Sequence, residues 1–416
     1  MSIVAAPESI GYAEARERVL AAATPLASES VALSLARGRA LRQEIRASHD
    51  VPPFRNSSMD GIAVRSADTE RASAASPLTL RVIGEIAAGA APARALSAGE
   101  CMWIMTGAML PDGADAVVPV EELKRAASES EVLLPVRATP GLNVRDAGAD
   151  ARTGDIVLSS GRELSAHDLA VLATFGISRP EVGRSPRVIA LSTGDELLGL
   201  DEPMRPGAIR DSNLPMLAAL LEEAGATVAG ASRLPDDVDA VASAIAQGLQ
   251  TADVVITLGG VSAGRHDPVK EALARFDGIA RWRVAMKPGR PQAFGAVDRR
   301  LFFGLPGNPA SVACVFEVLV RPALRQLQGF TTLDRPRLTV RAADRIESRS
   351  GRTDFVRVTL ERRGEEWWAK EAGAQISGHV LPQSRAHALL VVPEASERIE
   401  AEEDAEAMLL RWPEAG

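Results

Sequence analysis

Three glycine-rich loops carry much of the chemistry that this 416-residue sequence offers. The first, GGVSAGRHD, begins at Gly259. Gly259, Gly260 and Gly264 lack Cβ atoms, so backbone N–H groups can converge on an oxyanion there. Ser262 adds a hydroxyl donor, and a helix starting near Asp267 would add the positive end of its dipole. The loop reads as a phosphate cradle or as a tight strand-to-helix turn. It is not a Walker loop, because it lacks the Gly-Lys-Ser/Thr ending. The second loop, GLPGNPAS, fixes a rigid turn with Gly304, Pro306, Gly307 and Pro309, and either Asn308 or Ser311 can cap the helix that follows. In the third, STGDEL, Ser192, Thr193 and Gly194 lead to Asp195 and Glu196 directly after an apolar run. One of these acids caps a helix, or a carboxylate there holds a divalent cation against phosphate oxygens. Asp211, in RPGAIRDSN, reads first as a helix cap.

Cations stand at MKPGRPQAFG, where Lys287 and Arg290 straddle a Pro-Gly turn. This is an ordinary surface turn or a place that stabilises a phosphate or oxyanion, with Arg290 able to donate two parallel N–H bonds. Further acids sit far away in sequence. Asp60 is held in VPPFRNSSMDGIAV, Thr106 and Asp115 in IMTGAMLPDGADAVV, and Arg145 and Asp150 in NVRDAGAD. Each is a structural turn by default, but acids and cations spread in this way suggest a site assembled between domains.

The elements that must position these residues follow from periodicity. YAEARERVLAAA and LSLARGRALRQEI both place apolar residues at helical spacing, so residues 1–48 are expected to be helical and to join 146–182 in one elongated helical domain. Short β-like runs separated by Gly, Pro and Asp make 49–145 a β-rich domain. Residue Ser165 should cap a helix over SAHDLAVLATFG, with Asp168 in capping-box position. From 183 to 329 strands and helices alternate, ending in one long helix, which implies a mostly parallel α/β sheet. The stretch 330–416 is again β-like and is expected to be a small C-terminal barrel. The fold class is therefore multidomain α/β plus β. All three loops fall at carboxyl ends of strands in the α/β domain, where such sheets bind ligands.

Composition narrows the function. The chain is 46% hydrophobic, enough for several cores, and no run approaches the roughly 20 apolar residues of a membrane helix. The N-terminal residues do not read as a signal peptide, and the two cysteines, in unrelated surroundings, suit a cytoplasmic enzyme rather than a disulfide or zinc framework. A net charge of −8 argues against nucleic-acid binding. The five histidines lack ligand spacing, and no Ser-His-Asp-like order or Cys nucleophile is evident.

Together these strings resemble the molybdopterin molybdenumtransferases, the MoeA family that includes the E domain of gephyrin. PPFRNSSMDGIAV, IMTGAMLPDGADAVV, NVRDAGADARTGD, STGDEL, GAIRDSN, TLGGVSAGRHD, MKPGRPQAFG and GLPGNPAS occur in family order, and the resemblance covers nearly the whole chain. It implies four domains and an elongated homodimer, with the site between the α/β domain of one subunit and the β-rich domain of the other. It implies adenylylated molybdopterin and molybdate as substrates, AMP as a product, and Mg²⁺ as the cation. On this resemblance Asp60, Glu196 and Asp267 are acids of the site and metal ligands, and Thr106 and Asp150 are functional in the cleft. Ser192, Thr193, Gly194, Asp211, Gly259, Gly260, Ser262 and Gly264 would bind the pterin substrate. Lys287 and Arg290 would hold molybdate or the pyrophosphate, Pro306, Gly307, Asn308 and Pro309 would shape the wall, and Arg352 and Ser377 in the last domain would add contacts. Molybdopterin adenylyltransferase and molybdoenzyme maturation proteins are the expected protein partners. The sequence departs from the family at Arg290, where Lys is usual, and at Ile62, where Tyr is usual. Two other readings are a molybdopterin adenylyltransferase, against which the flanking domains argue, and a non-catalytic pterin carrier or scaffold.

Overall fold

Val254–Leu258 shows why the α/β sheet forms. Every side chain of this strand is buried, and the residues divide by parity. Val254, Ile256 and Leu258 join one apolar cluster with Leu217, Leu221 and Phe316, while Val255 joins another with Val241, Ile245 and Phe302. A strand with apolar residues on both parities must be covered on both faces. The computed structural model describes residues 7–260 and 268–413. They fall into two compact units. One comprises Met1–Gln43, Ser160–Leu169 and Arg179–Gly416; the other comprises Glu44–Ser159 and Ala170–Ser178.

In the first unit, Thr227–Leu234, Arg187–Thr193, Val254–Leu258 and Arg300–Leu305 lie side by side and parallel. Pro291–Val297 then runs antiparallel to Arg300–Leu305, and Ile279–Lys287 antiparallel to Pro291–Val297. The reversal between 297 and 300 uses Asp298 and Arg299, both at positive φ (47° and 66°), as a two-residue hairpin requires. Strand Glu8–Gly11 adds in parallel to Ile279–Lys287, with Ser9 opposite Arg283. The expected mostly parallel sheet is present.

Flanking helices start where acids or prolines permit. Asp237 Oδ1 accepts from Ala240 N at 2.7 Å at the head of Val238–Thr251. Ser165 and Asp168 form the expected capping box. The long closing helix is continuous from Pro309 to Gln328 but contains a π-helical turn at Phe316–Val320. Glu317, buried in that turn, takes two hydrogen bonds from Arg335, both 2.8 Å. Gly329 ends the helix at φ 86°.

The N-terminal stretch departs from expectation. Tyr12–Ala22 is helical, but its Ala15 and Val19 pack into the core of the α/β sheet with Trp282 and Val284. The second expected helix is absent: only a 3₁₀ turn forms at Leu33–Leu35. Gly38 takes φ 77°, and the N–H groups of Leu41 and Arg42 go to the carbonyls of Arg162 and Glu181. The helical spacing was real, but pairing with a distant segment satisfies the backbone instead.

The C-terminal barrel closes. Thr353–Arg363 pairs with Glu366–Glu371 and Ala388–Val392, Arg337–Ala342 pairs with Glu366–Glu371 and Asp404–Leu409, and the last two free edges pair together. Its interior holds Val340, Val358, Leu360, Leu390 and Leu409. The barrel meets the α/β sheet where Met286 and Lys287 lie opposite Thr353 and Asp354.

The second unit is β-rich. Its main sheet runs Ala116–Pro119, Gly61–Val64, Glu100–Ile104, Leu78–Ile86, Glu131–Leu134, Lys124–Arg125. Ile62 is fully buried with Leu80, Cys101 and Val118. Gly61 cannot be replaced without movement, since a Cβ there would lie 2.0 Å from the Val118 carbonyl oxygen.

Candidate functional site

Strand register aligns the three loops. Ser192 lies opposite Leu258, and Leu258 opposite Leu305, so STGDEL, Gly259–Gly260 and PGNP leave the sheet at one carboxyl edge. They enclose a cleft of about 710 Å³. Ser192, Thr193, Gly194, Glu196, Asp211, Gly259, Gly260, Pro306, Gly307, Asn308 and Pro309 all line it. Ser262, Gly264 and Asp267 lie outside the described residues.

Each loop has a local reason for its shape. Gly259 and Gly260 both take positive φ, 87° and 70°, and a Cβ on Gly307 would sit 3.6 Å from the Gly259 Cα. Two backbones thus approach closely, as a surface that receives a ligand needs. At Gly194 a Cβ would fall 2.6 Å from the Glu196 carboxylate. The missing side chain gives Glu196 its place over the loop.

The acids divide by role. Asp211 is buried, accepts from Ser192 Oγ at 2.5 Å, and accepts the Asn213 and Leu214 N–H groups at 3.1 and 3.0 Å. Asp211 is therefore a helix cap that also anchors Ser192, and both its oxygens are engaged. Asp195 and Asp236 accept each other's backbone N–H, at 3.2 and 3.3 Å, and lock a turn. No helix follows STGDEL, so neither Asp195 nor Glu196 is a cap; Leu197–Leu198 instead pairs with Ile209–Arg210. Glu196 remains exposed on the cleft wall. Among the described residues no group of three or more His, Cys, Asp or Glu side chains is placed to hold a metal ion.

A second cleft, about 610 Å³, shares Pro291, Pro306 and Asn308 with the first. Lys287, Arg290, Arg352 and Ser377 line it, as does Arg283, which sequence reasoning missed. The signal was present: Trp282, Val284 and Met286 are buried, so Arg283 shares the outward parity of Lys287. Arg352 is paired at 2.8 Å with the buried Asp354. Lys287 lies near Glu371, whose carboxyl is pushed up by burial and held back by the lysine charge. Ser377 links the barrel to the α/β domain: its Oγ accepts from Asn308 Nδ2 at 2.8 Å, and its carbonyl accepts from Ala310 N at 3.0 Å. Asn308 therefore does not cap its helix with its side chain. The two clefts have opposite electrostatic character: acids dominate near Glu196, and cations dominate near Lys287.

In the other unit, Thr106 donates from both N and Oγ1 to Asp60 Oδ1, at 2.7 and 2.8 Å. These bonds, the backbone one foremost, hold the exposed Asp60 carboxyl below its usual range. Asp115 is structural, accepting from Ser66 N and Oγ, both 2.6 Å. Asp150 is exposed and its N–H donates to the Val51 carbonyl at 2.9 Å.

A carboxyl-edge cleft with glycine loops, joined through a lysine strand to a small barrel, defines a multidomain α/β protein with its cleft where open α/β sheets bind ligands. The family description "MoeA N-terminal region (domain I and II)" matches residues 10–176, "Probable molybdopterin binding domain" matches 189–326, and "MoeA C-terminal region (domain IV)" matches 339–410. Molybdopterin molybdenumtransferase 2 of Mycobacterium tuberculosis is 36% identical over 371 residues, 88% of this chain and 91% of its own. Molybdopterin molybdenumtransferase of Nostoc sp. is 35% identical over 372 residues, 88% and 85% of the two chains. The crystal structure of the molybdopterin biosynthesis MoeA protein from Pyrococcus horikoshii OT3 superposes with a TM-score of 0.83 at 28% identity, over 97% of this chain and 100% of that one. The chain belongs to the molybdopterin molybdenumtransferase family, enzymes of molybdenum cofactor biosynthesis.

Proposed function

We propose that this chain inserts molybdate into adenylylated molybdopterin, releasing AMP and giving Mo-molybdopterin. The observation that carries the reading is the paired clefts at one sheet edge, one acidic and one basic. A diphosphate-linked substrate and a dianion need cationic and N–H donors at the charge that develops, with little covalent help from protein. Gly259, Gly260, Ser192, Thr193 and Gly194 would receive the phosphates, with Ser262 and Gly264 beside them in sequence. Lys287, Arg290, Arg352 and Ser377 would hold the oxyanion, and Pro306, Gly307, Asn308 and Pro309 form the wall between. Asp211 supports Ser192 rather than touching substrate.

A Mg²⁺ ion fits the donor chemistry at Glu196, whose carboxylate Gly194 leaves room for. Magnesium keeps several waters and substrate oxygens, so one or two carboxylates suffice. Glu196 and Asp267 would hold it, with Asp60 as a further acid. When bound it supplies charge neutralisation between phosphate oxygens. The chain acts as a homodimer in the cytoplasm, and Asp60, Thr106 and Asp150 serve the partner subunit's cleft. Their exposure and the fixed geometry at Asp60 support this part of the reading. No helix among the described residues is long and apolar enough to cross a membrane.

The test is AMP release from adenylylated molybdopterin on adding molybdate and Mg²⁺. Release that depends on both is expected. Tight binding without release would make the chain a carrier. Efficient adenylylation of molybdopterin by ATP would make it an adenylyltransferase.

A further inference from the structure

The basic cleft carries Arg283, Lys287, Arg290 and Arg352 against a single acid, Glu394. One of the four cations is already paired. Arg352 is paired with Asp354, while Lys287 lies near Glu371 without forming an ion pair with it. Among the described residues, Arg283, Arg290 and Lys287 have no carboxylate within ion-pair distance, whereas Arg352 does. Two guanidinium groups lining one cleft repel each other unless an anion joins them.

Arg283 is also the better fixed of the two. Its strand is hydrogen-bonded on both sides, to Glu8–Gly11 with Ser9 opposite, and to Pro291–Val297 with Pro291 opposite. Lys287 is four residues further along the same strand face, about 13 Å away at strand rise. A rigid platform of this kind places a guanidinium fork without the ordering cost of a loop.

We propose that Arg283 is a substrate-binding residue of the basic cleft, acting with Arg290 to capture a tetrahedral oxyanion. The inference rests on the reading of the cleft given above. The oxyanion is molybdate itself or a tetrahedral phosphate of the pterin substrate's diphosphate link, which share negative charge and shape.

Equilibrium dialysis of the full chain against molybdate, read by metal analysis, and parallel binding of adenylylated molybdopterin separate the sources. Arg283→Gln should weaken one of the two by about tenfold, as loss of a charge-assisted contact does. Arg283→Lys should recover part of that loss and the salt dependence that Arg283→Gln flattens. Loss in the molybdate arm assigns Arg283 to molybdate, and loss in the pterin arm assigns it to the phosphate. Either supports the proposal, whereas unchanged affinity in both arms overturns it. If Arg283→Gln does not fold, a wild-type salt dependence and affinity in Arg283→Ala and Arg283→Lys overturns it equally. Wild-type protein that binds both ligands but releases no AMP would defeat the proposed reaction while leaving the role of Arg283 intact.

Discussion

Thr106 and Asp60 share one carboxylate oxygen: Thr106 N and Oγ1 both donate to Asp60 Oδ1, at 2.7 and 2.8 Å. The Asp60 carbonyl in turn accepts from Val120 N at 3.1 Å, and Gly61 is clamped under Val118. The carboxylate is therefore set by its neighbours on both sides while its other oxygen stays open to solvent. Thr153 holds Asp50 in the same way, by N and Oγ1 at 2.8 Å each. The motif alone is thus a turn device, and position distinguishes Asp60.

Because these bonds depress the Asp60 pKa, the carboxylate stays charged as pH falls. Their stabilising effect is present above the unfolded pKa and is lost as pH drops through the folded value. Thr106→Val should raise the Asp60 pKa toward the ordinary value while the backbone bond remains. Carboxyl NMR titration reads this directly, and the acid limb of the activity profile should move to higher pH. Thr153→Val should shift Asp50 alike and leave activity unchanged.

Gly61→Ala must push a methyl toward the Val118 carbonyl, 2.0 Å from its ideal position. The expected cost is about 1–3 kcal/mol, the usual range for overpacking. Thermal unfolding should show an earlier transition for the β-rich unit. An unchanged melting profile would mean that the sheet at Gly61–Val64 shifts freely.

Asp211 and Glu196 line the same cleft but should respond oppositely. Asp211→Ala removes a helix cap and the partner of Ser192, and should cost about 1–2 kcal/mol of stability. Glu196 is exposed, so Glu196→Gln should change stability by no more than about 0.5 kcal/mol. Denaturant unfolding of the two variants side by side checks the contrast.

Ser377→Ala removes the hydroxyl that accepts from Asn308, but not the carbonyl that takes the Ala310 N–H. A loss of about 0.5–1.5 kcal/mol is expected from the missing bond. Ser377→Gly adds backbone freedom as well, and should loosen hydrogen exchange at Ala310 more than Ser377→Ala does.

Much of this was legible in the sequence because the α/β domain obeys local rules. VVITL could only be a buried strand, and its glycines fell at a carboxyl edge by topology alone. The β-rich texture around Asp60 was equally plain. What the sequence could not show was pairing between distant segments. LSLARGRALRQEI has helical spacing, yet Arg162 and Glu181, remote in the chain, take its backbone bonds. Asp195 and Glu196 look alike in sequence, and only the turn with Asp236 separates a structural acid from an open one. Arg283 was recoverable from strand parity but stood outside any motif.

The most direct test of the site is molybdate-dependent AMP release by Asp60→Asn and Glu196→Gln, measured in single turnover on folded protein. Both should fall at least about tenfold below wild type, about 1.4 kcal/mol of barrier. Wild-type rates in both variants would contradict the assignment of these carboxylates to the reaction.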